Sequence, residues 1–512
     1  MNTMPQLQKI LSCALCTAYL FCFIATTHAS AKQTERHNIL MLSIDDLNTW
    51  TQYLGHPTAI TPNLDRLMAR SKTFLNAHCA APVCAASRNA LMTGIAPHRS
   101  GWYGNYDQSG IVRNMPKVTH LFDHFRDHGY QTLAAGKLYH HWSAPDTSPD
   151  VTWDEYLSFP GVPKALLKNG DGYKGMLFYP FAETGSPIFR KLNSSSGVSL
   201  VGGPVKRKNI PHGEMFDESI AKWGVKQLKK ARKQPFIMGL GFLRPHVPYI
   251  VPEKHFEHFP LADIQLPPDI DSKTWSNYPP YAKAMAYGSA KGGDDNAVKA
   301  LGRTYAKQLI QSYLASIHFV DELVGQVLDA LDQGPHAKNT IVVLFSDHGQ
   351  NLGEKRTWRK MHLWETSTRV PLAIARPGES EKSISSPVSL LDLYPTLCSI
   401  ANLEMPSHLM GRDLTPLLNG KDNWNDPVLV TWQYKNHALR SQSHSYIRYR
   451  DGREELFDME KDPQQLNNIA KSHPEICSTF RNKLPKHDEI PVDQKSWSGD
   501  FLDERAQMFS QP

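Results

Sequence analysis

Apolar runs of strand length recur along the chain, and each stops abruptly at ionisable side chains. "NILMLSIDD" ends in Asp45 and Asp46, "YQTLAAGKLYHH" in Lys137 and His140, "PFIMGLGFLRPH" in Arg244 and His246, and "TIVVLFSDHG" in Asp347 and His348. The runs are continuous rather than alternating, so they predict strands buried on both faces, as in a parallel sheet covered by helices. Helical periodicity fills the intervals. "HLFDHFRDHGY" spaces Leu121, Phe122 and Phe125 on one face before Gly129, and the stretch from Tyr305 to Asp332 repeats Leu309, Tyr313, Ile317, Val320, Val324, Val327 and Leu331 before Gly334. Such strand–helix alternation predicts a doubly wound α/β domain. Ligands of these sheets bind at the carboxyl ends of the strands, so the four polar clusters are expected to meet at one edge.

The pattern weakens between 143 and 215, where "LNSSSG" and "VGGP" read as loops, and "GSAKGGDDNA" at 288–297 reads as a surface insertion. After residue 425 it changes type. "YIRYRDGREELFD" is two strand-like runs joined by Asp451-Gly452, a hairpin signal, and the stretch from Pro474 to Leu484 is a helix able to pack on it. The expected organisation is a leader over 1–31, an α/β domain over 32–425 and a smaller antiparallel α+β subdomain over 426–512.

Composition narrows the function class. Of 512 residues, 40% are hydrophobic and 21% charged, the balance of an ordinary globular protein. A net charge of +6 suits an anionic ligand, and no stripe of arginines interleaved with aromatics marks a nucleic-acid binder. Lys9, the apolar run Ile10 to Ala25 and then Ala29-Ser30-Ala31 have the grammar of a secretory signal cleaved after Ala31. The run is short of the ~20 residues that span a bilayer, which weighs against a membrane anchor. The expected location is periplasmic or secreted, with no stable membrane insertion after cleavage. Three of the seven cysteines lie in this leader; Cys79, Cys84, Cys398 and Cys477 remain, too few for a disulfide scaffold.

Two clusters carry candidate chemistry. Adjacent aspartates at the end of a buried strand repel each other and lose solvation, which a cation between them would relieve. Asp45, Asp46 and Asp347 are hard oxygen ligands suited to Ca²⁺ or Mg²⁺, with His348 a less usual nitrogen neighbour. The alternative is that Asp45-Asp46 only caps a helix. Cys84 opens "CAASRNALMTG" where a helix N-terminus would favour an anion, and Arg88 one turn on points back to the same end. Taken alone, Cys84 reads as an inert buried thiol, the usual state of a lone buried cysteine.

"CAASRNALMTG" resembles the signature of the formylglycine-dependent sulfatases, C-x-P-S-R-x-x-x-L-T-G. "TPNLDRLMARSKTFLNAHC", "GKLYHH", "RPHVPY", "FSDHGQNLGEKRTWRK" and "ELFDMEKDPQQLNN" extend the resemblance over most of the chain. Within the family these motifs are most similar to iduronate-2-sulfatase and its bacterial polysaccharide-degrading relatives. The resemblance implies an alkaline-phosphatase-like fold and a sulfuric ester hydrolase acting on a sulfated carbohydrate. It implies that a formylglycine-generating maturation enzyme oxidises Cys84 to 3-oxoalanine (Cα-formylglycine), hydrated to a geminal diol. One hydroxyl, deprotonated on the metal, attacks sulfur and expels the alcohol; the other then loses its proton and the aldehyde reforms as sulfate leaves. By the same resemblance Asp45, Asp46, Asp347, His348 and the modified Cys84 would hold Ca²⁺. Arg88 would stabilise the diol, Lys137 and Lys360 would grip sulfate oxygens, and His140 and His246 would handle protons or bind sulfate.

Ala86 departs from the family's usual proline, which the oxygen-dependent maturing enzyme generally reads; the radical-based enzyme tolerates alanine. An unmodified Cys84 would leave a binder of sulfated glycans rather than an enzyme. Phosphate or phosphonate hydrolysis is disfavoured, because the matching motifs hold no second His/Asp ligand set. Substrate choice is expected to lie in loops near 98–110, 143–215 and 270–300, with Trp102, Tyr103 and His362 as candidate sugar contacts.

Overall fold

The computed structural model describes residues 36–105, 118–140, 153–157, 200–210, 213–271, 273–288, 293–421, 424–492 and 499–510. The leader, residues 106–110 and most of 143–215 lie outside them.

Eight strands form the main sheet: β1 (Asn38–Ile44), β2 (Lys72–Phe74), β3 (Gln131–Gly136), β4 (Glu155–Leu157), β5 (Phe236–Phe242), β6 (Thr340–Ser346), β7 (Leu372–Ala375) and β8 (Lys382–Ile384). Their order is β8-β2-β7-β6-β1-β5-β3-β4. The β6-β1-β5-β3-β4 block is parallel throughout, and β7 pairs antiparallel with both β6 and β2. The four apolar runs of the sequence are β1, β3, β5 and β6, and they lie side by side.

Alternation along each strand feeds two separate cores. Ile39, Met41, Ala134, Ile237, Ile341, Val343 and Phe345 point to one face, where α1 (Cys84–Thr93) and α2 (Leu121–Asp127) pack through Leu91, Met92, Leu121, Phe122 and Phe125. Leu40, Leu42, Leu133, Met238, Leu240, Val342 and Leu344 point to the other, against α3 (Phe216–Leu228) and the 30-residue α4 (Arg303–Asp332). Each fully buried large aliphatic or aromatic side chain contributes about 1.5–3 kcal/mol, so both faces have to be covered.

The C-terminal sheet is antiparallel, in the order β9 (Val428–Thr431), β10 (His437–Arg440), β11 (His444–Arg448), β12 (Glu454–Asp458). The Asp451-Gly452 turn joins β11 to β12, with Gly452 at φ 87°. Helix α5 (Pro474–Arg481) covers one face through Cys477 and Phe480, whose ring stacks on Tyr446 at 5.6 Å. The other face, through Val430, Ala438, Ile447 and Phe457, joins the first core of the main sheet.

Two loop expectations are corrected. The weak stretch 143–215 contains strand β4 and the short strand Gly202–Val205 that pairs with Tyr249–Pro252. The stretch 288–297 is not simply an exposed insertion: Asp294 and Asp295 open a helix and are buried, Asp294 bonded to Arg359 Nε at 2.6 Å. Its polar composition concealed acids that are paired inside.

Candidate active site

Asp45 and Asp46 follow β1, Lys137 follows β3, His246 follows β5, and Asp347 and His348 follow β6, all at the carboxyl edge of the sheet. Gly136 and Gly241 lie opposite each other in the β3–β5 pairing. Gly136 has φ +74°, and a Cβ there would stand 2.2 Å from Gly241 O; one on Gly241 would stand 2.2 Å from Lys137 O. Only glycines let the backbone carrying Lys137 turn in this closely.

Cys84 is the first residue of α1, behind extended Val83. The exposed side chain of Asn105 accepts the N–H of Ala85 at 2.9 Å, capping the helix beside the thiol. Cys84 Sγ lies 3.2 Å from His348 Nε2 and 3.2 Å from Lys360 Nζ, and His140 also hydrogen-bonds it. Burial pushes the thiol up, but Lys137, Lys360 and His348 outweigh it and hold Cys84 well below the usual range.

The acids and cations interlock. Arg88 donates from Nε to Asp347 Oδ2 at 2.9 Å and from an outer nitrogen to Asp45 Oδ1 at 3.0 Å, and it also bonds the carbonyls of Lys137 and Leu138. Lys137 holds Asp45 Oδ2. Lys360 holds Asp46 Oδ1 at 2.6 Å. Burial works against ionisation of Asp45, yet Lys137 and Arg88 keep it low; Asp347 is pushed up by burial despite Arg88. His348 Nδ1 donates to Gly349 O at 2.9 Å, which turns Nε2 toward Cys84 and Asp46 Oδ1, the latter at 3.4 Å. His246 Nδ1 donates to Val247 O at 2.5 Å, leaving Nε2 4.0 Å from Asp46 Oδ2.

These residues fit a divalent cation. Asp46 Oδ2 is buried without a hydrogen-bond partner, and three buried carboxylates share the site. Asp45, Asp46, Cys84 and His246 offer ligand atoms within 4.8 Å of one another, as do Asp45, Cys84, Asp347 and His348. Hard carboxylate oxygens favour Ca²⁺ or Mg²⁺.

The site positions expected from the sequence, Asp45, Asp46, Cys84, Arg88, Lys137, His140, His246, Asp347, His348 and Lys360, lie together in this one cluster. The sugar-contact candidates do not reach a surface: Trp102, Tyr103 and His362 are 1%, 0% and 0% exposed. Tyr103 bonds Glu489 O at 2.8 Å, and His362 stacks on Trp364 at 3.4 Å. They are aromatic core residues, a role their loop setting did not disclose.

Supporting residues went unread. Tyr313 of α4 donates to Asp46 O at 2.7 Å and accepts the N–H of Asn48 at 3.0 Å, setting the turn in which Asp46 has φ 61°. Its periodicity marked it only as core. The backbone around Lys360 is pinned by Met361 N to Pro82 O at 2.9 Å and by the Arg359–Asp294 pair.

Comparison with known proteins agrees with this geometry. The sulfatase family description matches residues 37–403, and that of the C-terminal part of N-sulphoglucosamine sulphohydrolase matches 353–489. A sulfatase of Formosa agariphila is 36% identical over 456 residues, covering 86% of this chain and 84% of its own length. Human iduronate 2-sulfatase is 27% identical over 410 residues, covering 73% and 70%. The solved structure of a 2-O GAG sulfatase superposes with a TM-score of 0.66 at 21% identity, covering 93% and 94%. The chain belongs to the sulfatase family, whose members hydrolyse sulfate esters.

Proposed function

We propose that the protein is an exported sulfatase that removes sulfate from the sugars of a sulfated polysaccharide or oligosaccharide. The observation that carries this reading is the buried Cys84 at a helix N-terminus, with Lys360 Nζ and His348 Nε2 both at 3.2 Å. Oxidation of Cys84 to Cα-formylglycine would place a hydrated aldehyde there. Asp45, Asp46, Asp347, His348 and residue 84 would hold Ca²⁺, which supplies acidification of a hydroxyl and neutralisation of sulfate charge.

Three carboxylates face Arg88, Lys137 and Lys360. A divalent ion held by the acids would free Lys137 and Lys360 from Asp45 and Asp46 to bind sulfate oxygens, whose charge grows as the ester bond breaks. Arg88, tied to Asp45 and Asp347, fixes both acids and stabilises the diol. His140 and His246 serve proton transfer: a proton reaches the sugar oxygen as its bond to sulfur breaks, and water restores the balance, giving alcohol and sulfate. Burial pushes His140 down to about 4, so near neutral pH its imidazole is uncharged and able to take up a proton. Sugar sulfates as substrates draw support from the name of the 2-O GAG sulfatase. Export rests on the leader grammar; among the described residues no helix is long and apolar enough to cross a membrane.

The test is mass spectrometry of the Cys84 peptide from the native host, joined to a sulfate-release screen over sulfated oligosaccharides. The reading expects the aldehyde and liberated sulfate. Ala86, buried in the first turn of α1, favours one second reading, in which Cys84 stays a thiol and the pocket binds sulfated glycans unhydrolysed. An intact thiol with no sulfate released would establish that reading instead, and phosphate release without sulfate release would overturn both.

A further inference from the structure

A second cluster of metal-ligating side chains lies away from the acid–thiol site, on the far end of the segment that follows β5. His255 closes a short 3₁₀ turn, Glu253–His255, directly after the strand Tyr249–Pro252. His318 and Glu322 stand one turn apart on α4, so they share a helix face. His255 is fully buried and His318 is 7% exposed, while the Glu322 side chain is 38% exposed.

The local hydrogen bonding is unsatisfied in either proton arrangement. His255 Nδ1 and His318 Nδ1 lie 2.9 Å apart, so one must donate to the other. Whichever donates, His255 Nε2 stays buried with no partner, 4.0 Å from Glu322 Oε2. A buried unpaired polar nitrogen is costly, and a histidine pair that only stabilises a core would have a partner for it. One ligand atom from each of His255, His318 and Glu322 falls within 4.8 Å of the others.

We propose that His255, His318 and Glu322 form a second metal site, selective for a borderline divalent transition ion of the Zn²⁺ type. Two imidazoles with one carboxylate suit Zn²⁺, Ni²⁺ or Co²⁺ and not the oxygen-seeking Ca²⁺. Binding displaces the Lys254 ammonium, which now holds Glu322 Oε2 at 2.6 Å from an exposed position. The proton between the two Nδ1 atoms is retained on whichever ring nitrogen is not ligated. His258, exposed, with its ring 4.4 Å from that of His318, or a water, completes four-coordination. The ion would staple the segment bearing Arg244 and His246 to the helix whose Tyr313 holds Asp46.

The experiment uses the full-length mature protein kept in excess Ca²⁺, titrated with Co²⁺ and followed by visible absorption, with Zn²⁺ affinity from competition. One equivalent of Co²⁺ with tetrahedral d–d bands is expected, abolished or weakened at least about 100-fold in His318→Gln. Asp45→Asn is expected to keep the bands, separating this site from the acid cluster. Glu322→Gln, on a side chain that is 38% exposed, is expected to weaken Co²⁺ binding without lowering the melting temperature of the metal-free protein. Bands unchanged in both His318→Gln and Glu322→Gln, or bands lost in Asp45→Asn alone, would overturn the proposal, as would no saturable binding below 100-fold excess Co²⁺.

Discussion

Arg88 is 2% exposed and shared between Asp45 and Asp347, so its charge is the counterweight for two acids that cannot reach water. Removing one partner of a buried ion pair costs about 3–5 kcal/mol, because the remaining charge stays unpaired. Arg88→Ala is therefore expected to lower the thermal midpoint sharply. Arg88→Lys should recover only part of it, since an ammonium cannot span Asp347 and Asp45 with a planar fork. Scanning calorimetry of the three proteins without substrate checks the order. Lys360 works differently: it meets both Asp46 and Cys84 from a buried position, and its proposed task arises as sulfate charge develops. Lys360→Ala is expected to cut kcat for sulfate release by about 10²–10³, as for loss of one charge-stabilising donor. The midpoint should fall too, but less than in Arg88→Ala, because Lys360→Ala strands one buried acid rather than two.

Among the elements, β3 and β5 decide where Lys137 points. Gly136→Ala would place a Cβ 2.2 Å from Gly241 O at a residue with φ +74°. The strain is of order 1–3 kcal/mol, and relief requires β3 to move away from β5, carrying Lys137 from Asp45. Thermal melting should report the destabilisation, and sulfate release should fall further than that stability loss explains. The strands themselves were legible because burial on both faces writes an unbroken apolar run, and Asp45, Asp46, Lys137, His140, His246, Asp347 and His348 because they follow the ends of such runs; Cys84, Arg88 and Lys360 were read from motifs instead. Strands β2 and β8 have three residues each, too few to show a period. Tyr313 and Asn105 act through local hydrogen bonds that leave no pattern. Trp102, Tyr103 and His362 misled because polar-capable aromatics look alike in a pocket wall and in a core; only their burial distinguishes them.

At the scale of the molecule, the C-terminal sheet is joined to the catalytic layers by shared core and by one buried ion pair. Val430, Ile447 and Phe457 pack with Ile39, Val343 and Leu372, so neither sheet covers its apolar face alone. Beside that contact Arg440 of β10 donates to Glu365 Oε2 at 3.0 Å, and Glu365 sits next to the Trp364 side chain that bonds Glu455 of β12 at 3.2 Å. Burial pushes the Glu365 carboxyl up, but Arg440, His78 and Arg369 outweigh it and hold it down at about 2, against an ordinary value of 4.5. A carboxyl depressed by folding stabilises fully above its unfolded value, and that contribution drains as pH falls from 4.5 through 2. The shift corresponds to about 3 kcal/mol at most. Glu365→Gln removes the titration and strands Arg440, so it should be less stable than wild type at pH 7, with the gap closing as pH falls toward 2. Melting temperatures of both proteins across pH 2 to 7 test this coupling. A constant gap over that range would mean the Arg440 pair does not tie the two sheets, whereas convergence at acid pH in a single transition would show that the C-terminal layer and the site-bearing sheet unfold together.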